Sequence, residues 1–222
     1  MNADLLERLN KARRERRAAA VWTRLASDEQ GLASAADDAP DDLRDAVEAR
    51  LKSGRSGTVE TERGACFVNV HLPRPRLVAV GAVHISQALA PIARLAEFDV
   101  LVVDPRTAFA TPERFAGTKL LAEWPEEAGL ALDPFTALAA LTHDPKIDDW
   151  PLQAALDARC FYVGALGSRK THGKRLDRLR GRGVADADLE RIHAPIGLDV
   201  GAATPAEIAV AVMAEVIAAL RR

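Results

Sequence analysis

The chain has 222 residues, 48% of them apolar, and a formal net charge of −2. That is enough for one large domain or two small ones with a substantial core. So small a net charge excludes a general attraction to nucleic acid or anionic membrane, and no apolar run approaches the length of a membrane span. The start, Met1-Asn2-Ala3-Asp4, is not a basic-then-apolar leader, so a cytoplasmic protein is expected. Two cysteines, Cys66 and Cys160, form no C-x-x-C pair and read as reduced, buried thiols, so no metal site is expected of them.

Residues 1–72 read as a small α+β region. Leu5 to Leu25 reads as one amphipathic helix carrying Arg13, Arg14, Arg16 and Arg17, and 27–41 as a loop rich in Asp, Ala and Ser. Asp42 to Lys52 follows as a short helix stopped at Ser53-Gly54. Thr58 to Glu62 and Cys66 to Leu72 read as a hairpin around Arg63-Gly64, and Pro73-Arg74-Pro75-Arg76 as a linker.

From residue 76 to 222 strands alternate with helices. Strands are expected at Leu77 to Val80, Val100 to Val103, Lys119 to Trp124, Ala137 to Leu141 and Cys160 to Val163. Helices are expected at His84 to Glu97 with Pro91 inside, Pro151 to Ala158 and Lys170 to Arg180. The last helix opens on the capping box Thr204-Pro205-Ala206-Glu207 and is apolar nearly all round, so it is expected to be buried. The fold class is α/β: a Rossmann-like parallel sheet with helices on both faces, after the small N-terminal region.

Four loops carry chemistry. Gly81-Ala82-Val83-His84-Ile85-Ser86, with Asp104 closing the next strand, is laid out like a dinucleotide site, in which glycines admit a pyrophosphate and the acid takes ribose hydroxyls. Val83 stands where the second glycine belongs, and its branched side chain crowds such a phosphate. Thr142-His143-Asp144 at a strand tip reads as an acid/base pair or a metal site, or as an Asx turn in which Asp144 caps the following segment. Gly164-Ala165-Leu166-Gly167-Ser168-Arg169, leading into a helix with Lys170, Lys174, Arg175 and Arg178, reads as an anion cradle, or as a glycine-stopped strand before a solvated basic helix. In Ala194-Pro195-Ile196-Gly197-Leu198-Asp199-Val200-Gly201, Asp199 orients a ligand or His193, or caps a turn.

These blocks, from about Pro75 to the C-terminus, resemble the XdhC/CoxI family, accessory proteins of xanthine dehydrogenase and related molybdenum hydroxylases. The carriers are Thr142-His143-Asp144, Tyr162 to Arg169, and Pro195 to Asp199 running on to Glu207-Ile208-Ala209. The resemblance implies a Rossmann-like domain that binds molybdenum cofactor (molybdopterin), protects it while its terminal sulfur is installed, and delivers it to the apo-hydroxylase. It implies a maturation chaperone without turnover of its own, with the hydroxylase and a cysteine desulfurase as partners, and it leaves a homodimer open. Residues expected at the cofactor are Gly81, His84, Asp104, His143, Asp144, Gly164, Gly167, Ser168, Arg169 and Asp199. Family members commonly carry a glycine-rich, cysteine-containing segment in a longer front, which residues 1–72 lack. The alternative reading is an NAD(P)-dependent oxidoreductase. A third is an interaction protein with a vestigial rim.

Overall fold

The computed structural model describes residues 3–27 and 29–221. Met1 and Asn2 of the start read as lacking a leader, and Asp28 of the stretch read as a loop, lie outside them. Contacts divide the chain into Met1–Pro73 and Arg74–Arg222.

The first unit holds α1 (Ala3–Arg14), β1 (Ala19–Arg24), β2 (Gln30–Ala33), α2 (Arg44–Ser53), β3 (Gly57–Thr61) and β4 (Gly64–His71). The expected single helix from Leu5 to Leu25 is therefore two elements. Arg16 takes φ 52, a left-handed backbone that stops the helix, and the chain returns as the strand β1. The antiparallel sheet has the order β2-β1-β4-β3, so β1 is internal and buried on both sides. Ala20 and Trp22 pack with Leu43, Val47, Cys66 and Val68, while Ala19 and Val21 pack with Leu5, Leu9 and Ala12. Apolar residues on both faces of a strand blur its period of two, which is why this stretch imitates a helix. The stretch 27–41 likewise contains β2 and a short 3-10 turn. The hairpin β3–β4 forms in the register Thr61↔Gly64.

The second unit holds β5 (Arg76–Val80), α3 (His84–Leu95), β6 (Asp99–Val103), β7 (Lys119–Leu121), β8 (Thr136–Ala140), α4 (Pro145–Asp157), β9 (Tyr162–Ala165), α5 (Arg169–Gly181), α6 (Asp186–Leu189), β10 (Ile192–His193) and α7 (Pro205–Leu220). Among the described residues its sheet has six parallel strands in the order β10-β9-β8-β5-β6-β7. One apolar layer joins Leu77, Leu89, Ala139, Tyr162 and Val212, on the side of α3 and α7. The other joins Val78, Leu138, Leu152, Val163 and Leu179, on the side of α4 and α5. Each such buried Leu or Val side chain contributes about 1.5–3 kcal/mol by leaving water.

Four expectations are corrected. Strand β7 ends at Leu121 rather than Trp124. Helix α4 begins at Pro145 rather than Pro151, because Asp144 caps it and proline suits the first helical position. Strand β9 extends to Ala165, so Gly164 lies in the sheet rather than in the loop. Helix α7 is not buried all round: Val210 is 57% and Ile217 39% exposed.

Val80 pairs with Val103 and with Ala140, and Ala140 pairs with Ala165, so four strands end in line. Their loops open on one edge. The chain leaves β5 toward β6 on one side and returns to β8 on the other, which puts the topological switch point between β5 and β8.

Candidate functional site

At the switch point the loops after β5 and β8 touch. A Cβ on Gly81 would stand 2.7 Å from Thr142 Cγ2, and φ is +113 there. Glycine is needed at 81 for this backbone and for the close approach of Thr142. Ser86 is fully buried; its hydroxyl donates to Gly81 O over 2.6 Å and accepts from the Val83 amide at 2.9 Å.

Asp104 is also fully buried, and its carboxylate is engaged. Oδ2 accepts from the Ala82 amide at 2.7 Å and from Arg106 Nη2 at 2.7 Å. Oδ1 accepts from Arg106 N and Nε, both at 2.9 Å. Burial pushes this carboxyl up, but the Arg106 guanidinium and the two amides outweigh it and hold it below the usual range. The acid expected to meet a ribose thus fastens its own loop. Two amides that a pyrophosphate would require, those of Ala82 and Val83, are spent on Asp104 and Ser86. His84 is exposed at the start of α3.

The concavity at this edge lies between α4 and α5. It measures about 350 Å³ and is lined by His143, Pro145, Asp148, Lys170, Thr171, Lys174, Arg175 and Arg178. His143 sits at φ 65 on the turn after β8. Asp144 Oδ1 accepts from Lys146 N at 3.0 Å, so of its two readings the cap is the one present. Gly167, with φ +135, keeps the opposite turn close: a Cβ there would stand 3.7 Å from His143 Nδ1. Ser168 caps α5 by accepting from Thr171 N at 3.2 Å.

Arg169 is exposed and lies outside the residues that line the concavity. The cations brought to it are Lys170, Lys174 and, beneath them, Arg175. Arg175 is 2% exposed and donates from Nη2 to Leu166 O over 2.8 Å. Burial pulls its pKa down, and neighbouring Arg178 adds to this, against the pull of Asp148 and Asp149. Arg178 is neutralised by Asp149 through a two-pronged pair of 2.6 and 2.9 Å.

Asp148 is 1% exposed, and its Oδ1 accepts from the Thr142 hydroxyl at 2.7 Å. Burial lifts its carboxyl to about 6, with Thr142 and Arg175 pulling the other way. Asp148 and the placement of Arg175 were the features sequence reasoning passed over. A signal existed: Asp148 and Leu152 are four apart on the buried side of α4, as Arg175 and Leu179 are on α5. A charged residue in phase with buried leucines is a buried charge.

Two expected residues lie elsewhere. Gly164 is buried in β9, where a Cβ would meet Tyr162 Oη at 2.6 Å and Ile196 at 2.7 Å, so it serves packing. Asp199 is exposed, and His193 is oriented by Glu215 instead, with Nδ1 and Oε1 3.0 Å apart. Glu215 also accepts from Tyr162 Oη at 2.6 Å and from Gly197 N at 2.8 Å, tying α7 to β9 and the following loop. Both cysteines are buried free thiols. Burial pushes Cys66 up and Cys160 to about 12, so neither is a ready thiolate. Among the described residues no group of His, Cys, Asp and Glu is arranged to hold a metal ion, and no helix is long and apolar enough to cross a membrane.

Comparison with known proteins agrees with this architecture. The chain is 35% identical over 158 residues to YqeB of Escherichia coli, an uncharacterised protein, covering 68% of this chain and 28% of that one. It is 39% identical over 93 residues to the molybdenum cofactor insertion chaperone PaoD of Escherichia coli, covering 42% and 29%. It is 33% identical over 159 residues to a probable xanthine dehydrogenase subunit of Bacillus subtilis, covering 70% and 46%. The chain thus spans less than half the length of these relatives. A solved structure described as a xanthine dehydrogenase from Bacillus halodurans superposes with a TM-score of 0.66 at 21% identity, covering 97% of this chain and 63% of that one, and so shares the fold. The model of the XdhC Rossmann domain matches residues 77–216, the parallel sheet and nearly all its helices, and on that match the chain belongs to the XdhC Rossmann domain family.

Proposed function

We propose that this chain is part of a maturation factor that receives molybdenum cofactor and passes it to a xanthine dehydrogenase-type molybdenum hydroxylase. One observation carries the reading: a basic concavity at the carboxyl edge of the sheet, floored by a buried arginine with unspent donors. Molybdopterin is an anionic pterin bearing a phosphate, and guanidinium and ammonium groups on the first turns of a helix suit that charge. Arg175, Lys170 and Lys174 are the proposed phosphate contacts. His143 and Gly167 form the proposed mouth, and Arg169 and His84 are placed on the rim outside it. The name of the relative PaoD supports the cargo, and that of the Bacillus subtilis relative supports a hydroxylase as recipient.

The dinucleotide alternative lacks comparable support, because the Ala82 amide and the Asp104 carboxylate are engaged with each other. The cofactor is cargo here, so the chain's own residues need only hold, shield and release it. The test is to purify the full chain from cells making molybdenum cofactor and measure the bound pterin by its fluorescence after oxidation. Retained pterin in the wild type, lost in a Lys170→Ala/Lys174→Ala double variant, is the expected result. No pterin in the wild type, with the hydroxylase in the same cells active, overturns the assignment.

A further inference from the structure

Two buried side chains of opposite charge face this concavity with hydrogen-bonding atoms unused. Arg175 Nε and Nη1 have no partner within the protein, and Asp148 Oδ2 has none of good geometry, although the Thr142 and His143 amides draw on that carboxylate. They do not satisfy each other. Among the described residues no ion pair joins them, although each feels the other's charge. An unpaired buried polar atom costs about 1–3 kcal/mol, and more when charged. Three around one concavity call for a shared partner.

Their chemistry defines that partner. Arginine and lysine only donate and select oxyanion oxygens, whereas an ionised carboxylate only accepts. Asp148 therefore repels a bare oxyanion and welcomes one that carries a hydroxyl. We propose that the concavity between α4 and α5 binds a protonated oxyanion, a hydrogenphosphate or a phosphate monoester in its singly protonated form, with Arg175 donating to its bare oxygens and Asp148 Oδ2 sharing its single proton. This deepens the function proposed above and rests on it for the cargo. It adds the rule by which the site tells phosphate from other divalent oxyanions.

Sulfate and molybdate carry no proton near neutrality, so each must draw one from solvent onto Asp148 to be seated. Hydrogenphosphate brings its own. The groups around Asp148 are Thr142 and His143 from the turn after β8, Arg175 from α5, and Arg106 from the loop after β6, which also feels Asp144. Lys170, Lys174 and the Asp149-paired Arg178 complete the lining.

Calorimetric titration of the full chain with inorganic phosphate, sulfate and glycerol phosphate tests the proposal. At about pH 8 phosphate should bind about tenfold more tightly than sulfate, and the gap should narrow toward about pH 6 as Asp148 takes up a proton. Asp148→Asn should bind the two equally, while Lys170→Ala weakens both alike. Glycerol phosphate, which loses its last proton at about pH 6, should compete for the site there and fade toward about pH 8 if the ligand is esterified; binding of inorganic phosphate alone across that range supports the free ion. Equal binding of phosphate and sulfate by the wild type at about pH 8, no binding of either, or a preference that survives in Asp148→Asn overturns the proposal. Should that variant fail to fold, the wild-type pH series decides, because a gap independent of pH also overturns it. A chain that retains pterin but shows no phosphate preference loses this inference alone. A chain that prefers phosphate but retains no pterin loses the cargo assignment alone.

Discussion

The Ala82 amide points into the Asp104 carboxylate, 2.7 Å from Oδ2, and so the loop after the first Rossmann strand is closed by a side chain from the end of the next strand. In a dinucleotide site that amide and that acid belong to the ligand. Here the acid is a structural clamp, held also by Arg106. Asp104→Asn is expected to cost about 2–4 kcal/mol of stability, because it weakens a buried, charge-assisted network and leaves Arg106 without its counter-charge. Denaturant unfolding measures it. Calorimetry with NAD or NADP is expected to show no binding in wild type or variant.

Gly81 is the second clamp. Gly81→Ala must hold a side chain at φ +113 and move Thr142, whose Cγ2 lies 2.7 Å from the new Cβ. A loss of about 1–3 kcal/mol is expected. An unchanged melting temperature would show that the two loops separate freely.

The Asp148 carboxyl gives the second unit a pH signature. Its folded pKa, about 6, exceeds the ordinary value of 3.8, so the folded state holds the proton more tightly than the unfolded chain. Stability is therefore full below the unfolded value and declines as pH rises through the folded one, by roughly 3 kcal/mol at about 1.36 kcal/mol per unit. Asp148→Asn should flatten that decline. Denaturant midpoints collected from about pH 4 to about pH 8 read both chains.

The first unit has the opposite signature. Arg24, 3% exposed, donates to Asp42 over 2.8 Å and holds that carboxyl at about 2, below its ordinary value of 3.8. Its contribution is present above the unfolded value and is lost as pH falls through about 2. Acid unfolding followed by Trp22 fluorescence should begin only below about pH 4, and Asp42→Asn should remove that acid-dependent loss.

The Tyr162 hydroxyl, the His193 ring and the Gly197 amide all converge on Glu215. Burial and Glu215 both push the tyrosine far above its usual range, so it stays a donor. Tyr162→Phe should cost about 1.5–3 kcal/mol, the range for a hydrogen bond to a charged group. A cost under 0.5 kcal/mol, roughly the scatter of surface substitutions, would show that the network does not hold α7 to β9.

What could be read from the residues alone was what depends on local order. Alternating apolar runs and glycine stops disclosed a parallel sheet, and Thr204-Pro205-Ala206-Glu207 marked the start of α7. The blocks around His143 and Gly167 pointed to the carboxyl edge of the sheet, where those two residues do come together. Burial on both faces hid β1, because an internal strand has no polar side to set its period. The choice among the cations of α5 was hidden too. Arg169, Lys170, Arg175 and Arg178 are equivalent as letters. A helix advances about 100° per residue, and only its packing against α4 and the sheet decides which guanidinium is sealed beneath the concavity, which is paired with Asp149, and which remains in water. Asp148 is the sharpest case. A carboxyl becomes a proton-holding group only when folding removes its water.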